Sequence, residues 1–142
     1  MTSSDISRQL VDNYRNTIYR INTAPESIDL RIDAFSEPLA ALLRATNPRS
    51  SAIISAYNPF SRKLSGAQNL QAHELLRLLL RSRAYFIVEG QNIDLSGQWP
   101  DEKSFFVCGI DLNAAQSIAR QFNQNAIVWI DTDAIPRLQL LR

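Results

Sequence analysis

The chain has 142 residues, of which 45% are hydrophobic and 20% charged, so it suits one globular domain with a core and is too apolar for a globally disordered protein. Fifteen lysines and arginines against fourteen acidic residues leave a net charge of +1, which excludes the strong one-sided field of a histone-like or polybasic protein. One cysteine and one histidine exclude a disulfide framework and a typical zinc site, so we expect no metal centre. The composition does not identify a cofactor, which stays unknown.

The first fifty residues predict a helix–strand–helix extension. Apolar residues that recur every three or four positions favour a helix, and strict alternation favours a strand. A serine or aspartate before an apolar stripe, and proline in the first turn, are typical of helix starts. These patterns predict a helix from Asp5 to Ile21 capped by Ser4 or Asp5, a strand from Ile28 to Ile32, and a helix that Ser36 opens and Asn47-Pro48 closes.

From Ser51 onward the predicted order is strand, helix, strand, strand, helix, strand, which is the βαββαβ arrangement of the ferredoxin-like fold. The predicted strands are Ser51–Tyr57, Tyr85–Val88, Ser104–Ile110 and Ala126–Ile130, with a short last strand over Leu138–Leu141. One helix begins at a Ser65–Gln68 capping box, and the other is capped by Asp111. A polar turn is predicted over Gly90–Trp99. We therefore predict an α+β protein with an antiparallel sheet and helices on one face. Residues 1–142 form a single domain in this interpretation, with the extension of residues 1–50 packed on the core of residues 51–142.

Apolar positions of these elements form the predicted core, namely Ile53, Leu76, Leu79, Ile87, Val107, Ile118 and Val128. Cys108 lies in an apolar strand and is expected to be a buried, inert thiol. Apolar runs reach about five residues, far below the roughly 20 of a membrane helix, and charged residues from Asp5 onward interrupt any signal-peptide core. We expect a soluble, cytoplasmic protein without membrane contact.

Several short motifs of the chain resemble, in the same order, a bacterial family known as domain of unknown function 3293. The resemblance covers roughly the last two thirds of the chain and is carried by Ala56-Tyr57-Asn58-Pro59-Phe60-Ser61, Leu64-Ser65, Asn69, Gly97, Trp99, Glu102, Ser104, Gly109, Gln124-Asn125-Ala126-Ile127-Val128-Trp129 and Pro136-Arg137-Leu138. It implies a small bacterial protein and carries no particular activity with it.

Two residues depart from the family pattern. Asn123 stands where the family has glycine, which is a conservative change if the residue ends a helix in the left-handed conformation. Gln68 stands where we expect glutamate, which keeps the capping geometry but removes a charge. Any family role that needs this carboxylate is therefore in doubt for this chain.

The segment from Asn58 to Asn69 is the first candidate binding region. It runs from the end of a strand to the start of a helix, where free backbone N–H groups and basic side chains favour a phosphate or carboxylate. The candidate ligand-binding residues in it are Asn58, Ser61, Arg62, Ser65 and Asn69. The alternative is an ordinary loop capped by Ser65, because the full glycine and lysine pattern of a P-loop is missing.

The segment from Trp99 to Ser104 is the second candidate region. Glu102, at the mouth of an apolar strand, is the candidate catalytic residue, since burial would raise its pKa and suit it to proton transfer. Ser104 is a further candidate ligand-binding residue, and Trp99 either stacks on a ligand or covers the core. The structural alternative is that Glu102 pairs with an arginine or caps backbone amides.

Three other polar groups invite a functional interpretation but favour a structural one. His73 follows Asn69 by four residues on the same helix face, yet a single histidine among leucines is usually a hydrogen-bonded core residue. Asp131 and Asp133 could bind Mg²⁺, but a solvated turn is the commoner explanation.

Three functions remain open at this point. The first is a small-ligand-binding or enzymatic domain for an anionic or polar ligand, with Asn58, Ser65, Asn69 and Glu102 converging on one pocket. The second is a non-catalytic protein-interaction module that uses the first or second helix. The third is RNA binding by the sheet, which the lack of a basic surface and of exposed aromatic residues in a basic context makes the weakest.

Overall fold

Alternating apolar residues form seven strands in the part of the chain that the computed structural model describes, residues 6–142. In chain order they are β1 (Thr17–Ile21), β2 (Ile28–Leu30), β3 (Ser51–Ile54), β4 (Phe86–Asp94), β5 (Glu102–Cys108), β6 (Ala126–Ile130) and β7 (Pro136–Leu140). All pairings are antiparallel, and the strands form one curled sheet in the order β2-β1-β4-β5-β3-β6-β7.

Four α-helices lie in the described residues, and a capping side chain begins each of them. They are α1 (Arg8–Arg15), α2 (Glu37–Thr46), α3 (Gly66–Ser82) and α4 (Leu112–Gln121). The capping residues are Ser7, Ser36, Ser65 and Asp111, and each side chain accepts a hydrogen bond from a backbone N–H of the first turn. The predicted caps at Ser36, Ser65 and Asp111 are confirmed. Ser4 and Asp5, predicted for the first helix, lie outside the described residues.

Apolar side chains cover both faces of the sheet, because successive residues of a strand point to opposite sides. Ala52 and Ile54 of β3 join the core beneath α3 and α4, whereas Ile53 joins a second core with Leu39 and Leu43 of α2. Burial on both sides explains why every residue of β3 is buried. The helices opened by Ser65 and Asp111 therefore share a face, as predicted, and α2 covers the opposite one.

The α+β class is confirmed, but the sheet is larger than the four strands of the predicted ferredoxin-like fold. Strands β1 and β2 extend it beyond β4, and β7 extends it beyond β6. Within residues 6–142, no helix combines the length and the apolar character needed to cross a bilayer.

The prediction of one helix from Asp5 to Ile21 was wrong at its C-terminal half, since α1 ends at Arg15 and β1 follows. In β1 the buried residues are Thr17, Tyr19 and Ile21, which alternate with partly exposed ones. β-Branched and aromatic residues favour strands, and this strand is hydrogen-bonded to β2 and β4 on its two sides. Tertiary pairing therefore overrides a helical spacing of apolar residues.

The predicted polar turn over Gly90–Trp99 was wrong for residues 90–94, which continue β4. Asp94 pairs with Thr17 of β1, and Asn92 pairs with Glu102 of β5. At Gly90 an added Cβ would collide with the carbonyl oxygen of Arg20, so only glycine allows β1 to approach β4 so closely. A glycine that resembles a turn signal is here a point of close strand packing.

Most of the predicted core is confirmed. Five of the seven predicted residues are buried, whereas Leu79 and Ile87 are only partly buried and pack at the margin. On α3 the fully buried leucines are Leu76 and Leu80. Cys108 lies at the end of β5 and is half-buried. The prediction that this thiol is buried was therefore wrong.

Candidate functional site

A cavity of about 90 Å³ lies against the α2 face of the sheet, beside the core that α2 covers. Ile53 of β3, Val128 of β6 and Leu138 of β7 line it from the sheet, and Leu10 and Tyr14 line it from α1. Because the interior of a protein is close-packed, a space that holds several water-sized groups marks a candidate ligand site.

Glu102 lines this cavity at the first residue of β5. Its Oε2 accepts a hydrogen bond of 2.6 Å from the side-chain Nδ2 of Asn58. Asn58 lies in the loop that follows β3. Within residues 6–142, the other oxygen, Oε1, accepts no hydrogen bond, and no lysine or arginine pairs with the carboxylate. One oxygen of Glu102 is thus fixed, and the other is available to a ligand.

Burial raises the pKa of Glu102 to about 7, because the charged carboxylate loses water, and the nearby Asp94 carboxylate adds to the rise. The hydrogen bond from Asn58 acts in the opposite direction and stabilises the charged form. The carboxyl group of Glu102 therefore exchanges its proton close to neutral pH, where a general acid or base is most effective.

The two asparagines Asn58 and Asn69 lock the loop that presents Asn58 to Glu102. Asn69 accepts a 2.9 Å hydrogen bond from the backbone N–H of Asn58 and donates a 2.8 Å hydrogen bond to its Oδ1. The same Oδ1 accepts the backbone N–H of Leu64 at 2.9 Å. Asn69 is 5% exposed and does not line the cavity. It acts on the site by positioning Asn58.

The loop after β3 holds backbone conformations that most residues avoid. Asn58, Phe60 and Ser61 have φ values of 46°, 53° and 59°, in the left-handed region. For a bulky residue such as phenylalanine this conformation is a genuine outlier. The backbone N–H of Phe60 donates to the carbonyl of Asn123 at 2.7 Å, which helps to hold the loop. Strain of this kind concentrates at binding sites, where surrounding contacts maintain it.

A second hydrogen-bonded group lines the cavity beside α1. The Tyr14 hydroxyl shares a 2.7 Å hydrogen bond with Ser61 Oγ, and the Asn125 Nδ2 donates to both oxygens at 3.1 and 2.8 Å. Arg142 donates to the Asn125 Oδ1 at 2.8 Å. Asn125 is 4% exposed, so this group is an internal link between α1, the loop and β6.

Asp94 and Trp99 line the cavity from the turn between β4 and β5. The Asp94 carboxylate accepts the backbone N–H groups of Ser96, Gln98 and Trp99, each at 3.0 Å. Although burial acts to raise the pKa of Asp94, hydrogen bonds from the Ser96 hydroxyl and from these N–H groups outweigh it and lower the pKa. The carboxylate stays charged and folds the turn that places Trp99 over the cavity.

The structure brings only part of the predicted site residues together. Asn58, Ser61 and Glu102 line the cavity, as Trp99 does. Four other predicted ligand-binding residues do not line it, namely Arg62, Ser65, Asn69 and Ser104. Ser65 forms the capping box of α3 with Gln68, and Ser104 is 1% exposed with a hydroxyl that has no partner in the described residues. The anion site that the sequence predicted at the start of α3 would therefore lie outside this cavity.

The remaining polar candidates lie elsewhere. His73 is a fully buried residue of α3. Its ring stacks on Phe105 with 4.2 Å between centroids, and its Nε2 lies 3.1 Å from Glu89 Oε1. Burial lowers the pKa of His73, although the contact with Glu89 opposes this. Asp133 forms a 2.6 Å ion pair with Arg137.

Residue patterns missed several side chains of the cavity, among them Tyr14, Tyr19, Asn92 and Asn125. Tyr14 and Tyr19 were assigned to one helix, and Asn92 to a turn, so their common cavity was hidden. Asn125 lies in one of the motifs that carry the family resemblance, and this motif was the sequence signal that could have identified it as a site residue.

Comparisons with known proteins identify the family of the chain. No curated protein and no solved structure matches the chain significantly. The family described as "Protein of unknown function (DUF3293)" matches residues 54–127, more than half of the chain. This segment contains Asn58, Ser61, Asn69, Glu102 and Asn125. The chain belongs to the DUF3293 family.

Proposed function

We propose that the protein binds a small polar molecule in this cavity and that Glu102 exchanges a proton or a hydrogen bond with it. The observation that carries the proposal is the geometry of Glu102: a carboxylate without an ionic partner in the described residues, fixed at Oε2 by Asn58, with Oε1 free at the cavity.

The chemistry available to this site is general acid–base catalysis or recognition of a hydrogen-bond donor. A pKa of about 7 gives Glu102 comparable populations of its charged and neutral forms at neutral pH. Asn58 holds the carboxyl group in one orientation, and Asn69 holds Asn58. Reaction classes that need a proton removed from or given to a small substrate suit this arrangement.

A protein-interaction module is the alternative, and the predicted interaction helices have other roles in the structure. Leu39 and Leu43 of α2 are buried in the core, and Leu10 and Tyr14 of α1 line the cavity. The apolar stripe of α2 is thus used within the chain, and α1 contributes to the wall of the cavity. This favours the small-ligand function.

A thermal-shift screen of amino acids, amines, sugars, nucleosides and organic acids at millimolar concentration tests the proposal. A compound that binds the folded chain raises the melting temperature. We expect Glu102→Gln to reduce this rise, while Glu26→Gln, the same substitution at an exposed position, leaves it unchanged. If no compound raises the melting temperature, or if every rise is the same in Glu102→Gln, the proposed function is wrong.

A further inference from the structure

We infer that the ligand of this cavity carries a primary ammonium group, which Glu102 and Asn92 bind within an aromatic wall. The inference rests on the proposed small-ligand function and names the chemical class of the ligand.

The charge of the cavity wall favours a cation. Of the described residues that line the cavity, two carry carboxylates, Asp94 and Glu102, and none is a lysine or an arginine. The basic side chains nearby are engaged elsewhere: Lys63 donates to the carbonyl of Gln98, and Arg142 donates to Asn125. Two carboxylates in the wall repel an anion and attract a cation.

The unpartnered polar atoms include two acceptors on neighbouring strands. Asn92 of β4 and Glu102 of β5 are directly opposite each other in the register of the sheet. The Asn92 Oδ1 is buried without a hydrogen-bond partner in the described residues, and the Glu102 Oε1 likewise accepts none from them. A buried acceptor without a partner is costly, so a ligand that donates to it is favoured. An ammonium group offers three N–H donors.

Aromatic rings form much of the remaining wall, from Tyr14, Tyr19, Tyr57 and Trp99. The charge of Glu102 contributes to raising the pKa of Tyr19 and of Tyr57, which places both phenols within electrostatic reach of its carboxylate. The faces of such rings attract cations. Trp99 already accepts one, because Lys63 Nζ lies 4.8 Å from its ring centroid.

Several hydroxyl groups of the wall are already used, which argues against a ligand that needs donors from the protein. Tyr19 donates to the carbonyl of Tyr14 at 2.7 Å, and Thr17 donates to the carbonyl of Asn13 at 2.6 Å. Ser55 donates to the carbonyl of Lys103 at 2.8 Å. Together with the carboxylates, this argues against an anionic ligand in the cavity.

Three probes with the same alkyl chain test the inference: n-butylammonium, n-butanol and butyrate. Each is titrated into the ¹⁵N-labelled chain at pH 8, where Glu102 is charged, and the amide signals of Asn92 and Glu102 are followed by NMR. We expect n-butylammonium to bind about tenfold or more tightly than either other probe, as a desolvated cation contact implies. Glu102→Gln should abolish this preference, and Glu26→Gln should keep it.

The outcomes separate the ligand class from the function. If n-butanol or butyrate binds more tightly than n-butylammonium, or if Glu102→Gln keeps the preference, the ammonium inference is wrong while the cavity remains a ligand site. If none of the three probes moves these signals at tens of millimolar, the ammonium inference is overturned, and the thermal-shift screen then decides the small-ligand function separately.

Discussion

Glu102 carries a free-energy cost in the folded chain that an exposed glutamate would not carry. The unfolded chain releases this proton near the ordinary glutamate pKa of 4.5, whereas the folded chain releases it at a pKa of about 7. Between these values the folded state binds more protons than the unfolded state, so stability falls as the pH rises through this window. Keeping such a residue is expected at a functional site, where stability is exchanged for activity.

Glu102→Gln should remove this cost, because glutamine stays neutral and can still accept the hydrogen bond from Asn58. We expect the variant to be more stable than the unchanged chain at pH 8, by up to about 3 kcal/mol. Urea unfolding at pH 5 and at pH 8 measures the difference, which should be small at pH 5. Glu26→Gln is the control. Equal stability of Glu102→Gln and the unchanged chain at both pH values would contradict the raised pKa.

Asn69→Ala should destabilise the chain although it removes no charge and no large apolar group. The substitution deletes two hydrogen bonds and leaves the backbone N–H and the Oδ1 of Asn58 without these partners. We expect a loss of about 2 to 3 kcal/mol in the free energy of unfolding and weaker ligand binding. Gln71→Ala, at an exposed position of the same helix, should change stability by less than about 0.5 kcal/mol. Equal effects of the two substitutions would contradict the proposed lock.

Some residues of the site could be predicted from their residue type and their position at the end of a strand or helix. Asn58 and Glu102 stand out as polar residues at strand ends, and Asn123 was predicted to be left-handed, as its φ of 54° confirms. Ser104 also lies near a strand end, but its side chain does not line the cavity. Local pattern alone does not say which polar residues face the same space.

At the scale of elements, the strand β1 shows where sequence periodicity fails. Its apolar residues continue the spacing of α1, so the pattern alone predicts one long helix. This segment is a strand because residues 90–94 of β4 pair with β1 along its whole length. Such pairing joins segments about seventy residues apart, and no local signal reports it.

Gly90→Ala should break this pairing, since the added Cβ would overlap the Arg20 carbonyl oxygen in the neighbouring strand. We expect a loss of at least about 2 kcal/mol, because backbone must move to admit the methyl group. Gly66→Ala is the matched control, as nothing lies within 4 Å of its added Cβ and alanine favours the helix. Thermal unfolding of both variants measures the contrast. A Gly90→Ala variant as stable as Gly66→Ala would contradict the close packing of β1 on β4.

Three consecutive leucines of α3 differ in burial, so substitutions there test which face of the helix is packed. Leu80 is fully buried and Leu78 is 63% exposed, whereas the predicted core position Leu79 is intermediate. We expect Leu80→Ala to cost about 2 to 5 kcal/mol and Leu78→Ala less than about 0.5 kcal/mol. Denaturant unfolding decides this, and a larger loss for Leu78→Ala would mean that the helix packs through a different face.

At the scale of the whole molecule, the cavity depends on the parts of the sheet that the four-strand prediction lacked. Tyr19 comes from β1, Asn92 from the extended end of β4, and Leu138 from β7. The α+β class and the position of α3 and α4 on one face followed from the order of elements. The cavity did not, because it arises where strands distant in sequence curl around one space beneath α1.

The pKa of the Glu102 carboxyl group, followed by ¹³C NMR from pH 4 to pH 9, tests the central claim most directly. The claim is that a buried carboxyl group without an ionic partner in the described chain exchanges its proton near neutral pH at the cavity. We predict a midpoint of about 7 for the carboxyl group of Glu102. A Glu102 midpoint near 4.5, the value of a solvated glutamate, would contradict the account.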